Sequence, residues 1–218
     1  GMAVYLVQQL LLTATSVVIA GVVGLPLALW LGHLGRGGAL AINISNIGRA
    51  VPTFAVLVIL SVGPLGIDEL GPYGRAGLAT LVSLLLFAIP PIVTNAYVGM
   101  REVDRDVVEA ARGMGMRGSE VFGRVELPLA LPLVLTGLRL AVVQVWATAT
   151  IAALVAGPGL GNVVTQGFTS SDTAQVVAGA LLIAVIAVVL EAVMAGLERL
   201  LDPRRAARTA ARRDRAVT

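Results

Sequence analysis

The chain has 218 residues, of which 57% are hydrophobic and only 13% are charged, whereas a soluble domain is about 45–50% apolar and about 25% charged. All 16 basic residues are arginines and cysteine is absent. This composition excludes a P-loop, which needs a lysine, and it excludes disulfide and thiolate chemistry. With His33 as the single histidine, we predict no metal centre, no cofactor and no catalytic residue. We assign the pI of about 10.2 to arginines at membrane edges, without a role for nucleic acid.

Five stretches are apolar and long enough to cross a bilayer core about 30 Å thick as helices. In chain order they are residues 5–31, 40–62, 76–100, 129–156 and 174–197. The second stretch contains Arg49 and the helix-kinking residue Pro52. We predict a single transmembrane domain over residues 2–203, with a long polar loop at 101–128, followed by an arginine-rich tail at 204–218.

Arginines are distributed unevenly between the two sides of this arrangement. Thirteen of the sixteen lie in the 32–38 turn, the 101–128 loop and the C-terminal residues 199–218, which five spans place on one side. The opposite side has only Arg75. The positive-inside rule therefore predicts a multi-pass inner-membrane protein with its N-terminus outside and its C-terminus in the cytoplasm. The tail would lie against anionic membrane lipid.

The 101–128 loop has the pattern of two short helices. Asp106 followed by Glu109 predicts a capping box that opens the first helix, and Gly113 and Gly115 are expected to end it. A second short helix is expected from Ser119 to about Val125. Pro128 then follows, and we expect it to open the fourth span, because a proline in the first helical turn loses no hydrogen bond.

The loop also matches a known signature, which consists of EAA, three residues, Gly, nine residues, then a hydrophobic residue, any residue, Leu and Pro. The match is made without a gap by Glu109, Ala110, Ala111, Gly115, Val125, Leu127 and Pro128. The chain therefore resembles the transmembrane permeases of binding-protein-dependent ABC importers. This resemblance implies an all-α transmembrane fold. The expected fold is a five-helix type I importer permease bundle, like that of methionine importers, with a cytoplasmic coupling helix.

The resemblance implies that this loop docks into a groove on a partner ATPase. The residues assigned to coupling are Glu109, Ala110, Ala111, Arg112, Gly115, Arg117, Leu127 and Pro128. The alanines and the glycine would let a partner's backbone approach closely, the carboxylate would accept hydrogen bonds and the arginines would pair with acidic groups. The alternative is an amphipathic linker that only packs under the bundle, and the complete motif favours docking.

Polar side chains within the spans are candidates for a translocation path. They are Asn46, Arg49, Asn95, Gln144 and Thr148; each could instead hydrogen-bond between helices. For Arg49 the two roles, lining the path or locking helices together, are equally compatible with the sequence. A structural role is favoured for Arg139, deep in the fourth span, and Glu191 in the fifth span is a possible partner for either arginine.

Several stretches are similar to osmoprotectant permeases, which import glycine betaine, choline, carnitine or proline. These stretches are residues 91–99, 109–116, 125–132 and 148–155. Pro158, in Gly157-Pro158-Gly159-Leu160-Gly161, departs from the consecutive glycines of that family, which puts a family hydrogen bond from this amide in doubt. Methionine importers share the EAA element and the Gly-Leu-Gly turn, so a methionine or other small-solute importer is the alternative.

The resemblance implies several partners: two ABC ATPase subunits, a second permease subunit that is identical or paralogous, and an extracytoplasmic substrate-binding protein. Aromatic residues are only 4% of the chain and form no cluster that would cage a quaternary ammonium, so we expect selection to reside in the binding protein. A secondary transporter is a further alternative, but it would need an internal repeat and intramembrane carboxylates. A non-transporting scaffold would not need the docking motif.

Overall fold

The computed structural model describes residues 1–66 and 71–201, although the side chains of Ile42, Ser45 and Arg49 are also outside the description. The described residues are helical and contain no strand. The helices are α1 (Met2–Leu34), α2 (Gly38–Ala50), α3 (Thr53–Val62), α4 (Gly77–Arg101), α5 (Arg105–Gly113), α6 (Gly118–Val121), α7 (Leu127–Ile151), α8 (Gly161–Thr169) and α9 (Thr173–Leu201). The predicted all-α fold is confirmed.

Four helical segments of the described chain are long and apolar enough to span a membrane. They are α1, α4, the continuous segment Gly118–Val155 and α9, and they coincide with four of the five predicted stretches. The remaining stretch, 40–62, is divided into α2 and α3, whose axes bend by 78°. The single-domain assignment over 2–203 stays a prediction, and the 204–218 tail lies outside the described residues.

Pro52 explains why the second predicted stretch is not one straight helix. Val51 and Pro52 are both extended, with ψ of 122° and 115°, because a proline disfavours helical geometry at the residue before it and has no N–H to donate. At 1.5 Å per residue, α2 and α3 are about 20 and about 15 Å long. Neither crosses the bilayer core alone, so this region forms a span only if the bent pair crosses together.

The core is formed where α1, α4 and α7 pack closely on one another. Small residues permit this close approach in the way that is typical of membrane helices. A Cβ added at Gly24 of α1 would lie 3.0 Å from Val93 Cγ2, and one added at Gly137 of α7 would lie 2.8 Å from the Pro91 carbonyl oxygen. Around these contacts, buried aliphatic residues of all three helices form the largest cluster.

Gly32→Ala tests the α1–α4 contact. The new Cβ would lie 2.6 Å from Met100 Cβ, an atom that cannot rotate away, so the helices must separate. We expect a loss of about 1–3 kcal/mol in the free energy of unfolding, measured by denaturation of the purified chain in detergent. The control is Gly196→Ala in α9, where the added Cβ meets nothing within 4 Å. Equal stability of the two variants would contradict the packing described.

Candidate functional site

The first short helix of the 101–128 loop begins two residues earlier than the sequence pattern indicates. Helix α5 begins at Arg105, and its N-cap is Asp104, whose Oδ1 accepts the N–H of Asp106 at 2.9 Å. The predicted Asp106–Glu109 capping box is therefore wrong, because Asp106 is already inside the helix. A related contact is formed at α6, where the Arg117 N–H donates to Glu120 Oε2 at 2.8 Å.

Gly115 ends α5 as predicted. Its φ is +86°, a left-handed conformation that glycine adopts without strain. The next residue, Met116, donates its N–H to the Ala111 carbonyl at 3.2 Å. Gly113 does not have the predicted left-handed role, since it is the last residue of the helix.

The second half of the loop is continuous with the following long helix. Helix α6 passes into a π-turn over Phe122–Glu126 and then directly into α7, with the Leu127 N–H donating to the Phe122 carbonyl. Pro128 lies in the first turn of α7, as predicted, although α7 continues a helical segment that begins ten residues earlier, at Gly118. A proline ring collides with the carbonyl four residues before it in an α-helix, and the wider π-turn makes room for Pro128 there.

The loop exposes a mixed surface of charged and apolar side chains. Of the assigned coupling residues, Glu109, Ala110, Arg112, Gly115 and Arg117 are exposed, and Leu127 and Pro128 are half-buried. Ala111 is only 3% exposed, so its side chain packs within the chain and cannot contact a partner in this conformation.

Two apolar side chains on this surface were missed by the sequence analysis. Val107 and Met114 are 45% and 78% exposed. Their signal in the sequence was an apolar residue beside charged ones within a polar loop. Large exposed apolar groups among charges are typical of a protein–protein contact surface.

A cavity of about 290 Å³ lies between this loop and the ends of α1 and α4. The charged and titratable side chains that line it are His33, Arg101, Arg105, Glu109, Arg112 and Glu126. The assigned coupling residues Glu109 and Arg112 therefore contact both solvent and the space behind the helix. This placement connects the exposed face of α5 to the ends of two long helices.

Arg139, at the middle of α7, is held by two carboxylates of α9. Its Nε donates to Glu191 Oε1 at 2.8 Å, a second nitrogen contacts the same oxygen, and its Nη1 donates to Glu198 Oε2 at 3.1 Å. Thr136 Oγ1 also donates to Glu198, at 2.7 Å. The predicted pairing of Arg139 with Glu191 is confirmed, and it supports the structural role predicted for Arg139. Glu198 was missed, although it lies two helical turns after Glu191 on the same face.

The candidates for a translocation path are only partly brought together. Asn95 and Gln144 line a cavity of about 610 Å³, together with Thr94 and Glu191. Thr148 is buried and does not line this cavity. Asn46 is exposed on α2 and does not line it either, and the side chain of Arg49 is outside the described residues.

A buried glutamine that the sequence analysis missed fixes the opposite end of the bundle. Gln9 of α1 is fully buried; its Oε1 accepts the Leu160 N–H at 2.7 Å, and its Nε2 donates to the Trp146 carbonyl and to Thr150 Oγ1, both at 3.2 Å. The Gly159 N–H donates to Gln8 at 3.4 Å. The turn around Pro158 is thus hydrogen-bonded at the two amides that follow the proline.

Comparisons with known proteins agree with this architecture. The profile of the family described as "Binding-protein-dependent transport system inner membrane component" matches residues 20–207. The choline transport system permease protein OpuBD of Bacillus subtilis (strain 168) is 32% identical over 206 residues, which is 94% of this chain and 87% of that protein. The carnitine transport permease protein OpuCD of Listeria monocytogenes serotype 1/2a (strain 10403S) is 32% identical over 197 residues, 90% of this chain and 84% of that one.

Among solved structures, the inward-facing MetNI methionine ABC transporter has the same fold. The TM-score is 0.72 at 20% identity, and the match covers 89% of this chain and 93% of the other. The fold resemblance and the sequence similarity each cover about nine-tenths of the chain. The chain belongs to the family of inner membrane components of binding-protein-dependent transport systems.

Proposed function

We propose that this permease takes up osmoprotectants such as glycine betaine, choline, carnitine or proline in an ATP-driven importer. The observation that carries the proposal is the 32% identity, over 90% or more of the chain, to permeases named for choline and carnitine. The fold likeness to the methionine transporter supports the architecture and gives no preference for methionine, since the identity is 20%.

In this proposal the 101–128 loop docks on a partner ATPase, and two ATPase subunits close on ATP binding. The exposed face of α5 and the turn that follows it support this role. Glu109 offers a carboxylate to basic groups, and Val107 and Met114 offer apolar surface. Ala111 has an internal packing role instead. The ATPases can shift the permease only between states in which their contacts with this loop differ.

The translocation path in this proposal lies between two permease subunits, identical or paralogous. The cavity at Asn95 and Gln144 supplies one half of that path, and its mixed amide and apolar lining suits passage of a small zwitterion or cation. None of the described residues that line this cavity is aromatic, although quaternary ammonium ions are bound best by aromatic faces. This supports weak binding along the path, with selection by an extracytoplasmic substrate-binding protein.

The topology also belongs to the proposal. The loop and the C-terminus lie in the cytoplasm and the N-terminus outside, because thirteen of sixteen arginines lie on one side. The turn around Gly159 and helix α8, at the end opposite the loop, then face the binding protein. ATP hydrolysis takes place on the partner subunits, and this chain supplies the passage.

Uptake by the complete complex in proteoliposomes tests the substrate class. The complex contains this permease, its ATPases and its binding protein, and the panel is glycine betaine, choline, carnitine, proline and methionine. ATP-dependent uptake of at least one of the first four is the expected result. Uptake of methionine alone would overturn the substrate assignment but would still support an ATP-driven importer. Flux that does not depend on ATP would overturn the importer in favour of a secondary transporter.

A further inference from the structure

A polar contact joins the end of α1 to the π-turn that precedes α7. Nδ1 of His33, the chain's single histidine, contacts Glu126 Oε2. The two side chains are 17% and 8% exposed. The imidazole also meets the Phe122 ring edge-on, with centroids 5.4 Å apart and an interplanar angle of 81°. The pair is therefore enclosed between α1 and the π-turn.

The α1 side of this contact is firmly placed. Gly32, next to His33, leaves no room for a Cβ against Met100 of α4. Gly35 ends α1 with φ of +66°, and the Arg101 guanidinium lies 2.9 Å from where a Cβ of Gly35 would be. The residues before and after His33 thus both pack against the end of α4, which fixes the position of His33.

On the Glu126 side of the contact lies the π-turn, and α geometry is the alternative conformation for these residues. A π-turn contains one residue more than an α-turn, and one residue corresponds to about 100° of rotation about the helix axis. Conversion of Phe122–Glu126 to α geometry would therefore rotate α5 and α6 relative to α7. The same conversion would turn Glu126 away from His33 and leave a buried carboxylate without this partner, which is costly.

We propose that His33 and Glu126 are a positioning pair that holds the π register, so that movement of the 101–128 loop is passed to α1 and α7 instead of being absorbed within the turn. This role rests on the proposed function, since it concerns coupling to the ATPases. With Glu126 as the acceptor, Nδ1 of His33 donates in this contact, and both the charged imidazole and one neutral tautomer carry a proton on Nδ1.

The test is the number of substrate molecules taken up per ATP hydrolysed by the complete complex in proteoliposomes. His33→Ala is expected to lower this ratio about tenfold, the size of effect that loss of one hydrogen bond to a charged group produces. His33→Asn, whose side-chain amide can place an N–H near the Nδ1 position, is expected to restore the ratio to within about twofold of wild type. The matched control is Leu34→Ala at an exposed neighbouring position, which should leave the ratio unchanged.

A double variant removes the concern that His33→Ala fails to assemble because of an unpaired Glu126. His33→Leu with Glu126→Leu leaves no orphaned polar group, and we expect it to assemble with the same low ratio. A wild-type ratio of substrate taken up to ATP hydrolysed in this double variant would overturn the positioning role of the pair. ATP-driven uptake by the wild-type complex would in that case still support the proposed function. Wild-type uptake that is independent of ATP would overturn both.

Discussion

Replacing Arg139 with leucine is expected to prevent most of the protein from folding in the membrane. The guanidinium holds Glu191 and Glu198 of α9 beside the middle of α7, and its removal leaves two carboxylates within spanning helices without their cation. We expect the yield of folded, membrane-inserted chain to fall roughly tenfold or more, measured by fluorescence-detected size-exclusion chromatography of a tagged protein.

Two variants separate loss of the charge cluster from a general effect of losing an arginine. Arg199→Leu changes an exposed arginine near the end of α9 and should give a normal yield. Arg139→Leu combined with Glu191→Gln and Glu198→Gln removes all three charges and is expected to recover much of the loss, since no uncompensated carboxylate remains. A normal yield of Arg139→Leu alone would contradict a structural role for the cluster.

Glu109→Lys is expected to remove nearly all ATP-driven uptake while the permease still folds and inserts. Glu109 is exposed on α5 and lines the cavity that also contains Arg101, Arg105 and Arg112. The new cation would lie among three others and would repel the basic groups that the carboxylate accepts hydrogen bonds from in the proposal. We expect uptake to fall about a hundredfold, the effect of breaking a hydrogen-bonded charge contact at an interface, with the ATPases no longer co-purifying.

The matched control for this charge reversal is Glu102→Lys. Glu102 is also exposed, lies directly after α4 and is outside the motif, so the same change of charge should reduce uptake by less than about twofold, as expected for a surface site. Uptake by Glu109→Lys equal to that of Glu102→Lys would contradict the assignment of this helix to coupling.

The sequence predicted the long helices and the pairing of Arg139 well, because both depend on strong local signals. An apolar run long enough to span has few alternatives in a bilayer, and an arginine within a span needs an acid within reach. The motif spacing likewise identified the 101–128 loop before any geometry was known.

Other features depend on competition between neighbouring groups, which a pattern does not decide. Asp104 and Asp106 are two residues apart, and each has a carboxylate that could cap a helix. Where α4 ends and the chain turns decides that Asp104 is the N-cap of α5. The π-turn before Pro128 and the contact between His33 and Glu126 require distant segments to meet. Thr148 shares a helical face with Gln144, yet only Gln144 lines the larger cavity, since depth depends on the helices packed around each residue.

In the proposed function this chain is a passage that ATPases drive through the 101–128 loop. The most direct measurement is the accumulation of radiolabelled glycine betaine in proteoliposomes that contain the complete complex, with ATP or ADP on the ATPase side, for wild type and Glu109→Lys. We expect accumulation above the external concentration with ATP, none with ADP, and none for the variant with either nucleotide. Accumulation that is the same with ATP and ADP, and unchanged by Glu109→Lys, would contradict it.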